Sequence, residues 1–327
     1  IQEGYALQNN CTQYMNIVKN KKIFFAISGL LMLASIVLVA VKGIPQSIEF
    51  KGGAQMEVAY IDTVPTYEEV RGAVDTLTLG SSLVQPTGET GYIVKTRDLT
   101  ELERQALVGA LTIGGTYTLE EKAFTSIGPS VGKELKQKAF ISLILVVLGI
   151  ILFVAYAFRR VGGKTEEGKS IPQANHISSW KFGFTAVVTL AHDVIITTGA
   201  FAVFAIVFGA EADTLFVVAL LTVLGVSVND TIVVFDRIRE NLDIDTKNKT
   251  NKPFETIVGE SITQTMARSV NTSLTVVLVL LALYFFGPVS TKIFALTMTV
   301  GMLVGTFSSI FVASPVLVVW EKMTGKK

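Results

Sequence analysis

The sequence predicts a polytopic α-helical membrane protein: six transmembrane helices and one extracytoplasmic α+β domain, ferredoxin-like in its βαββαβ order, placed after the first helix. Three observations carry this. Half of the 327 residues are hydrophobic and the mean hydropathy is +0.52, unlike a soluble globular chain. The apolar residues are bunched into six blocks, 23–41, 139–158, 184–208, 215–235, 270–286 and 293–319, each near the ~17–25 residues that cross a hydrocarbon core. Between the first two blocks the pattern changes to short strand-like runs and capped helical segments.

Residues 1–22 read as a cytoplasmic segment and 23–41 as the first helix. That helix follows "KNKK" and has no small-residue cleavage site after it, so it reads as retained and not as a signal peptide. The chain opens at Ile1, so either a trimmed start or one part of a longer polypeptide is expected.

Residues 42–138 form the outer domain. "IEFKGGAQMEVAY" supplies a strand, broken at Gly52 and Gly53. "PTYEEVRGAVDTL" places Pro65 and Thr66 before a helix; "SLVQP", "TGETG" and "YIVKTR" read as a hairpin; "TELERQALVGAL" is a second helix and "TYTLEEKAF" a last strand. That order is the ferredoxin-like plan, which by itself names no function. Lys51, Gly52 and Gly53 read either as a hinge to the first helix or as a plain turn, since glycine accepts dihedral changes that other residues resist.

Residues 139–320 hold helices two to six, with cytoplasmic loops at about 159–183 and 236–269, and 321–327 form a cytoplasmic tail. The basic residues gather on the segments this topology makes cytoplasmic, whereas the short opposite loops hold Lys292 alone, the positive-inside pattern. Lys133, Lys136 and Lys138 break it, but they flank a long translocated domain where the rule has little force. "KPFETIVGESITQTMA" has a helical apolar face and is expected as a short helix, lying on the membrane surface or packed on its own protein.

Composition excludes several classes. A net charge of +1 and no basic stripe argue against nucleic-acid binding. One cysteine, Cys11, excludes an intrachain disulfide, and two histidines, His176 and His192, supply a metal site poorly. No nucleophile–base pair, phosphate loop or metal motif is present, so no cofactor and no enzyme activity are expected.

The chemistry is expected among polar residues inside the membrane. Counted from Leu215, Asp230 lies ~22 Å into helix four; Arg268 lies ~27 Å from Phe286 in helix five; His192 and Asp193 lie ~16–18 Å from Lys181 in helix three. An ionised side chain at such depth costs at least ~2.5–3.5 kcal/mol, so it must face a partner, a polar cavity or another subunit. Asp230 and Arg268 read either as a static ion pair or as an ion-coupling pair, and Asp193 with His192 and Thr197 as a second candidate network. Asn229, with Ser227, Thr231, Asn271, Thr272 and Ser273, reads as helix–helix glue, a hydrated path or oxygen ligands for sodium. Gly301 and Gly305 form a GxxxG spacing suited to close helix packing.

"FKGG", "AHDVIITTG", "VSVNDTIVVFDRIREN", "ARSVNTSLT" and "GTFSSIFVASP" together resemble the SecF family, membrane subunits of the SecD–SecF protein-export complex, over nearly the whole chain after residue 20. The resemblance implies an architecture related to the resistance-nodulation-division exporters and a site in a bacterial or archaeal-type cell membrane with both termini cytoplasmic. It implies SecD as partner, separate or fused, together with the SecY channel complex and translocating preproteins. It further implies use of the proton or sodium gradient to promote translocation after the SecA step, with Asp230 and Arg268 at the family's intramembrane acid and arginine. The segment 159–181 is longer and more polar than expected and suggests an additional cytoplasmic contact. Two other readings stay open: half of a proton-driven lipid or small-molecule exporter, and a passive scaffold of the translocon.

Overall fold

The computed structural model describes residues 20–80, 82–157 and 179–324. The expected N-terminal segment, most of the polar loop 159–183 and the end of the tail lie outside the described residues. Among the described residues, six helices are long and apolar enough to span a membrane, and contacts divide the chain into two compact units.

The first unit is the membrane part. Its helices are α1 (Lys21–Lys42), α5 (Pro129–Ala157, shared with the other unit), α6 (Ser179–Phe208), α7 (Thr214–Asn248), α8 (Phe254–Phe286), α9 (Val289–Ser308) and α10 (Ser314–Thr324). The last two are joined by a π turn, Ser309–Ala313, so Val289–Thr324 is one interrupted span. Pro315 stands two residues after the turn, and proline cannot donate the backbone bond a regular helix needs there.

Glycine lets pairs of these helices touch. A Cβ on Gly199 of α6 would stand 2.2 Å from Ser35 Oγ of α1. One on Gly301 would meet Val223 Cγ2 at 2.3 Å, and one on Gly305 would meet Ser227 Cβ at 3.0 Å. Both residues of the GxxxG spacing thus lie where α9 crosses α7, backbone against side chain.

The expected short helix around 254–266 is not a separate element. It is the first part of α8, a continuous 33-residue helix. At 33 and 35 residues, α8 and α7 run ~50 Å, far beyond a ~30 Å core. Their projecting ends pack together: Ile257, Val258 and Ile262 share a buried core with Phe235, Ile238 and Leu242. Arg237 Nε donates to Gln264 at 2.6 Å and Asn241 Nδ2 to Ser261 at 2.8 Å. The apolar face therefore packs on its own protein. Trp180, Phe184 and Trp320 stack edge to face near one end of α6 and α10, beside Lys181 paired to Glu321 at 2.8 Å, the aromatic and charged trim of a membrane boundary.

The second unit comprises Pro45–Ser142 and Glu211–Thr214. Its element order is α2 (Ile48–Lys51), β1 (Gly53–Tyr60), α3 (Tyr67–Asp75), β2 (Leu83–Thr87), β3 (Gly91–Thr96), α4 (Glu101–Leu111) and β4 (Leu119–Ile127). The sheet is antiparallel with order β2-β3-β1-β4, the ferredoxin-like arrangement. Alternation along β1 buries Met56, Val58 and Tyr60 against Val70, Val74, Leu107 and Leu111 of the helices. Both helices begin with a capping box, Thr66 with Glu69 and Thr100 with Glu103, as Ser/Thr-x-x-Glu directs. Pro86 is tolerated because β2 is an edge strand.

Gly52 and Gly53 have φ of 80° and 138°, left-handed conformations open to glycine. A Cβ on Gly52 would lie 2.8 Å from Pro129 Cα, and one on Gly53 2.7 Å from the Thr96 carbonyl. The pair is an enclosed turn after Lys51, and a hinge there would have to part these contacts.

Candidate intramembrane site

Asp193 of α6 is fully buried. Ser227 Oγ of α7 donates to its Oδ2, Ser308 Oγ of α9 donates to the same oxygen at 2.8 Å, and His192 Nδ1 lies 2.9 Å from its Oδ1. Ser308 also reaches the Gly305 carbonyl at 3.0 Å. One carboxylate thus ties three helices together, at the close crossing that Gly305 permits and at the last residue before the π turn. His192 Nε2 and Thr197 Oγ1 are buried without a hydrogen bond among the described residues.

Asp230, one turn further along α7 than Ser227, is 6% exposed. Its carboxylate faces Ser269 of α8 and Thr306 of α9. Ser269 Oγ is buried and has no hydrogen bond of ordinary geometry, while Thr306 Oγ1 is already committed to the Met302 carbonyl at 2.9 Å and to Ser273. Next along α7, Thr231 Oγ1 lies 3.0 Å from Ser309 Oγ, inside the π turn. Both acids therefore address the same stretch of α9, Asp193 through close hydrogen bonds to side chains of two other helices and Asp230 through the looser approach of the Ser269 and Thr306 hydroxyls.

Arg268 forms no ion pair with Asp230; its side chain is exposed while the acid is buried. The reason is azimuth: successive helix residues step by ~100°, so Ser269 faces Asp230 and Arg268 turns away. Asn229 is exposed as well, one step from Asp230. Thr222 and Asn229 on α7, and Arg268, Asn271, Thr272 and Thr275 on α8, form exposed polar stripes within these apolar spans. Among the described residues, no group of three or more His, Cys, Asp or Glu is arranged to hold a metal ion.

Comparison with known proteins decides the family. The model for the C-terminal region of the protein export membrane proteins SecD/SecF matches residues 110–164 and 177–323. A protein translocase subunit SecF from Thermobaculum terrenum is 37% identical over 318 residues, covering 94% of each chain. This chain belongs to the SecF branch of the SecD/SecF family. A second SecF relative, from Anaerolinea thermophila, is 35% identical over 309 residues, again covering 94% of each chain, and one from Vibrio alginolyticus is 34% identical over 90% of this chain and 85% of its own. Among solved structures, the crystal structure of SecDF from Thermus thermophilus, a translocon-associated membrane protein, matches with a TM-score of 0.77 at 30% identity. A second SecDF structure, in a super-membrane-facing form, matches with a TM-score of 0.64. This SecF-family chain is 94% covered in both matches but spans 38% and 39% of the SecDF chains.

Four residues of this polar network escape the sequence reading: Ser269, Thr306, Ser308 and Ser309. Each lies inside a motif that carries the resemblance, and each is a hydroxyl of the kind that often bonds its own helix backbone instead of another helix. A double serine seven and six residues before a proline is the one available signal, because a proline-disturbed helix frees side chains for other partners.

Proposed function

We propose that this chain is the SecF-type half of a SecD–SecF assembly that promotes protein export through the SecY channel after the SecA step, drawing on the proton or sodium gradient. Asp230 is the ion-coupling residue and Asp193 the fixed pin of the bundle. The observation that carries the reading is the contrast between the two acids. Asp193 is fully buried with three side-chain partners, so any change of its charge disturbs three helices at once. Asp230 is nearly as buried but has no cation within ion-pair distance among the described residues, and only the Ser269 and Thr306 hydroxyls face it. Such a group has two competing arrangements: neutral within this bundle, or charged and paired with something that comes to it.

The exposed polar stripes support a partner subunit. Asn229 and Arg268 at bilayer depth would be costly against lipid and are explained if a SecD-type half covers them. Arg268 is then available to Asp230 only through a rearrangement or to an acid of the partner. One charge moved through the full potential yields ~2.3 kcal/mol per 100 mV, roughly a 50-fold bias on a balanced two-state equilibrium. That suits a low-barrier motion repeated over many ions.

The test is precursor transport into vesicles holding this chain, a SecD partner and the channel, with and without an ion gradient. Asp230→Asn keeps the shape and cannot exchange a proton. It should assemble normally and lose the gradient-dependent part. Full retention of gradient stimulation would leave the scaffold reading in its place.

A further inference from the structure

Segment 45–52 accepts one hydrogen bond from the first residue of Asp230's helix, and the role inferred for this segment rests on Asp230 being the ion-coupling residue. Residues Glu211–Thr214, between α6 and α7, belong to the outer unit by their contacts. Gln46 and Ala212 form a parallel backbone bridge: Ser47 N donates to the Ala212 carbonyl at 2.9 Å, and Ala212 N to the Pro45 carbonyl at 2.7 Å. Lys95 of β3 pairs with Glu211 at 3.0 Å, with side chains only 15% and 20% exposed. The carboxylate of Glu49, on α2, accepts the backbone N–H of Thr214 at 2.7 Å. Thr214 is the first residue of α7, so Glu49 satisfies an orphan donor and sits at the positive end of the helix dipole. The start of α5 closes on the same strap. Lys136 Nζ donates to Gln46 Oε1 at 3.1 Å, and a Cβ on Gly132 would lie 2.8 Å from Gly52 N.

The strap is thus bonded to the sheet through Lys95, to α5 through Gln46 and to the first peptide of α7 through Glu49. From Thr214 the helix runs unbroken to Asp230, 16 residues or ~24 Å. A free loop before α7 would absorb any displacement of that helix. A loop held by two backbone bonds, an ion pair and a cap passes it on.

We infer that the strap formed by 45–52 and 211–214 transmits the state of Asp230 to the ferredoxin-like domain, with Glu49 and the Lys95–Glu211 pair as positioning residues. The substitutions that test it are Glu49→Ala, Glu49→Gln, Lys95→Glu, Glu211→Lys and the Lys95→Glu/Glu211→Lys exchange. Each is measured in the full assembly beside Asp230→Asn, with gradient-dependent and gradient-independent transport scored separately. Losing a helix cap should lower the gradient-dependent part about five-fold in Glu49→Ala, with Glu49→Gln, which still accepts the Thr214 N–H, retaining most of it. Each single charge reversal should lower the same part, and the exchange should restore it, while gradient-independent transport is unchanged throughout. The inference is overturned if the assembled single variants keep full gradient stimulation, or if the exchange fails to restore it. Should Asp230→Asn itself keep full stimulation, the coupling role falls and the strap's role with it; loss in Asp230→Asn alone refutes only the strap.

Discussion

Ser308 Oγ of α9 donates to Asp193 Oδ2 of α6 across 2.8 Å, one residue before the helix passes into its π turn. The bond fixes where the irregular part of the last span begins. It also places Ser309 beside Thr231 and Thr306 opposite Asp230, so the pinned acid and the unpinned one are read by the same few residues.

Asp193→Asn should therefore destabilise the bundle without uncoupling it. The amide oxygen can still accept from Ser227 and Ser308, but its NH2 then meets His192 Nδ1, which must turn acceptor, and the charge that strengthened all three bonds is gone, a cost of ~1–3 kcal/mol. The thermal unfolding midpoint in detergent should fall, and transport per folded molecule should keep its gradient-dependent part. An unchanged midpoint would show that the network adds nothing to stability.

The crossing of α7 and α9 makes a second prediction. Gly301→Leu forces a side chain into space held by Val223, an overpacking worth ~1–3 kcal/mol. Val223→Ala opens that space, and in a double-mutant cycle measured by unfolding in detergent it should recover part of the loss. Strict additivity of the two substitutions would place the leucine elsewhere.

In the outer domain, the Arg97 side chain and the Thr100 cap hold the Glu103 carboxyl down at about 2. A carboxyl with a lowered folded value binds protons less readily folded than unfolded. Its contribution is present above the ordinary carboxylate range and is lost as pH falls toward about 2. Hydrogen exchange of α4 amides in the full chain, corrected for intrinsic rate, should lose protection as pH falls from about 5 toward 2. Glu103→Gln should flatten that dependence. Identical slopes in both proteins would contradict the assignment.

The polar stripes predict a covered surface. With Cys11→Ser as background, Asn229→Cys and Arg268→Cys should react with a membrane-permeant maleimide in the chain alone and be protected when a SecD-type partner is present. Equal labelling in both states would mean the stripes face something else.

Much of the fold was legible in the sequence because it depends on length and period. The six spans come from run lengths, and the βαββαβ order from alternation, Thr-x-x-Glu caps and the TGETG turn. Depth also comes from counting, and it brings Asp230 into the membrane. Counting along a helix leaves azimuth undetermined, so the sequence put Arg268 at a depth similar to Asp230 and left open whether they meet; Ser269 is the residue that faces the acid. The continuity of α8 was hidden for a similar reason: an apolar face with charges above it looks the same on a membrane surface as against Phe235 and Ile238. The strap at 45–52 leaves no periodic mark at all, since its backbone bonds and side-chain contacts join segments far apart in the chain.

The most direct test is ion flux during export, followed with pH- and sodium-sensitive dyes in vesicles that hold the whole assembly and a translocating precursor. Ion movement should depend on precursor and disappear in Asp230→Asn, while Asp193→Asn, per folded molecule, retains it. Undiminished precursor-dependent flux in Asp230→Asn would contradict a coupling role for this acid.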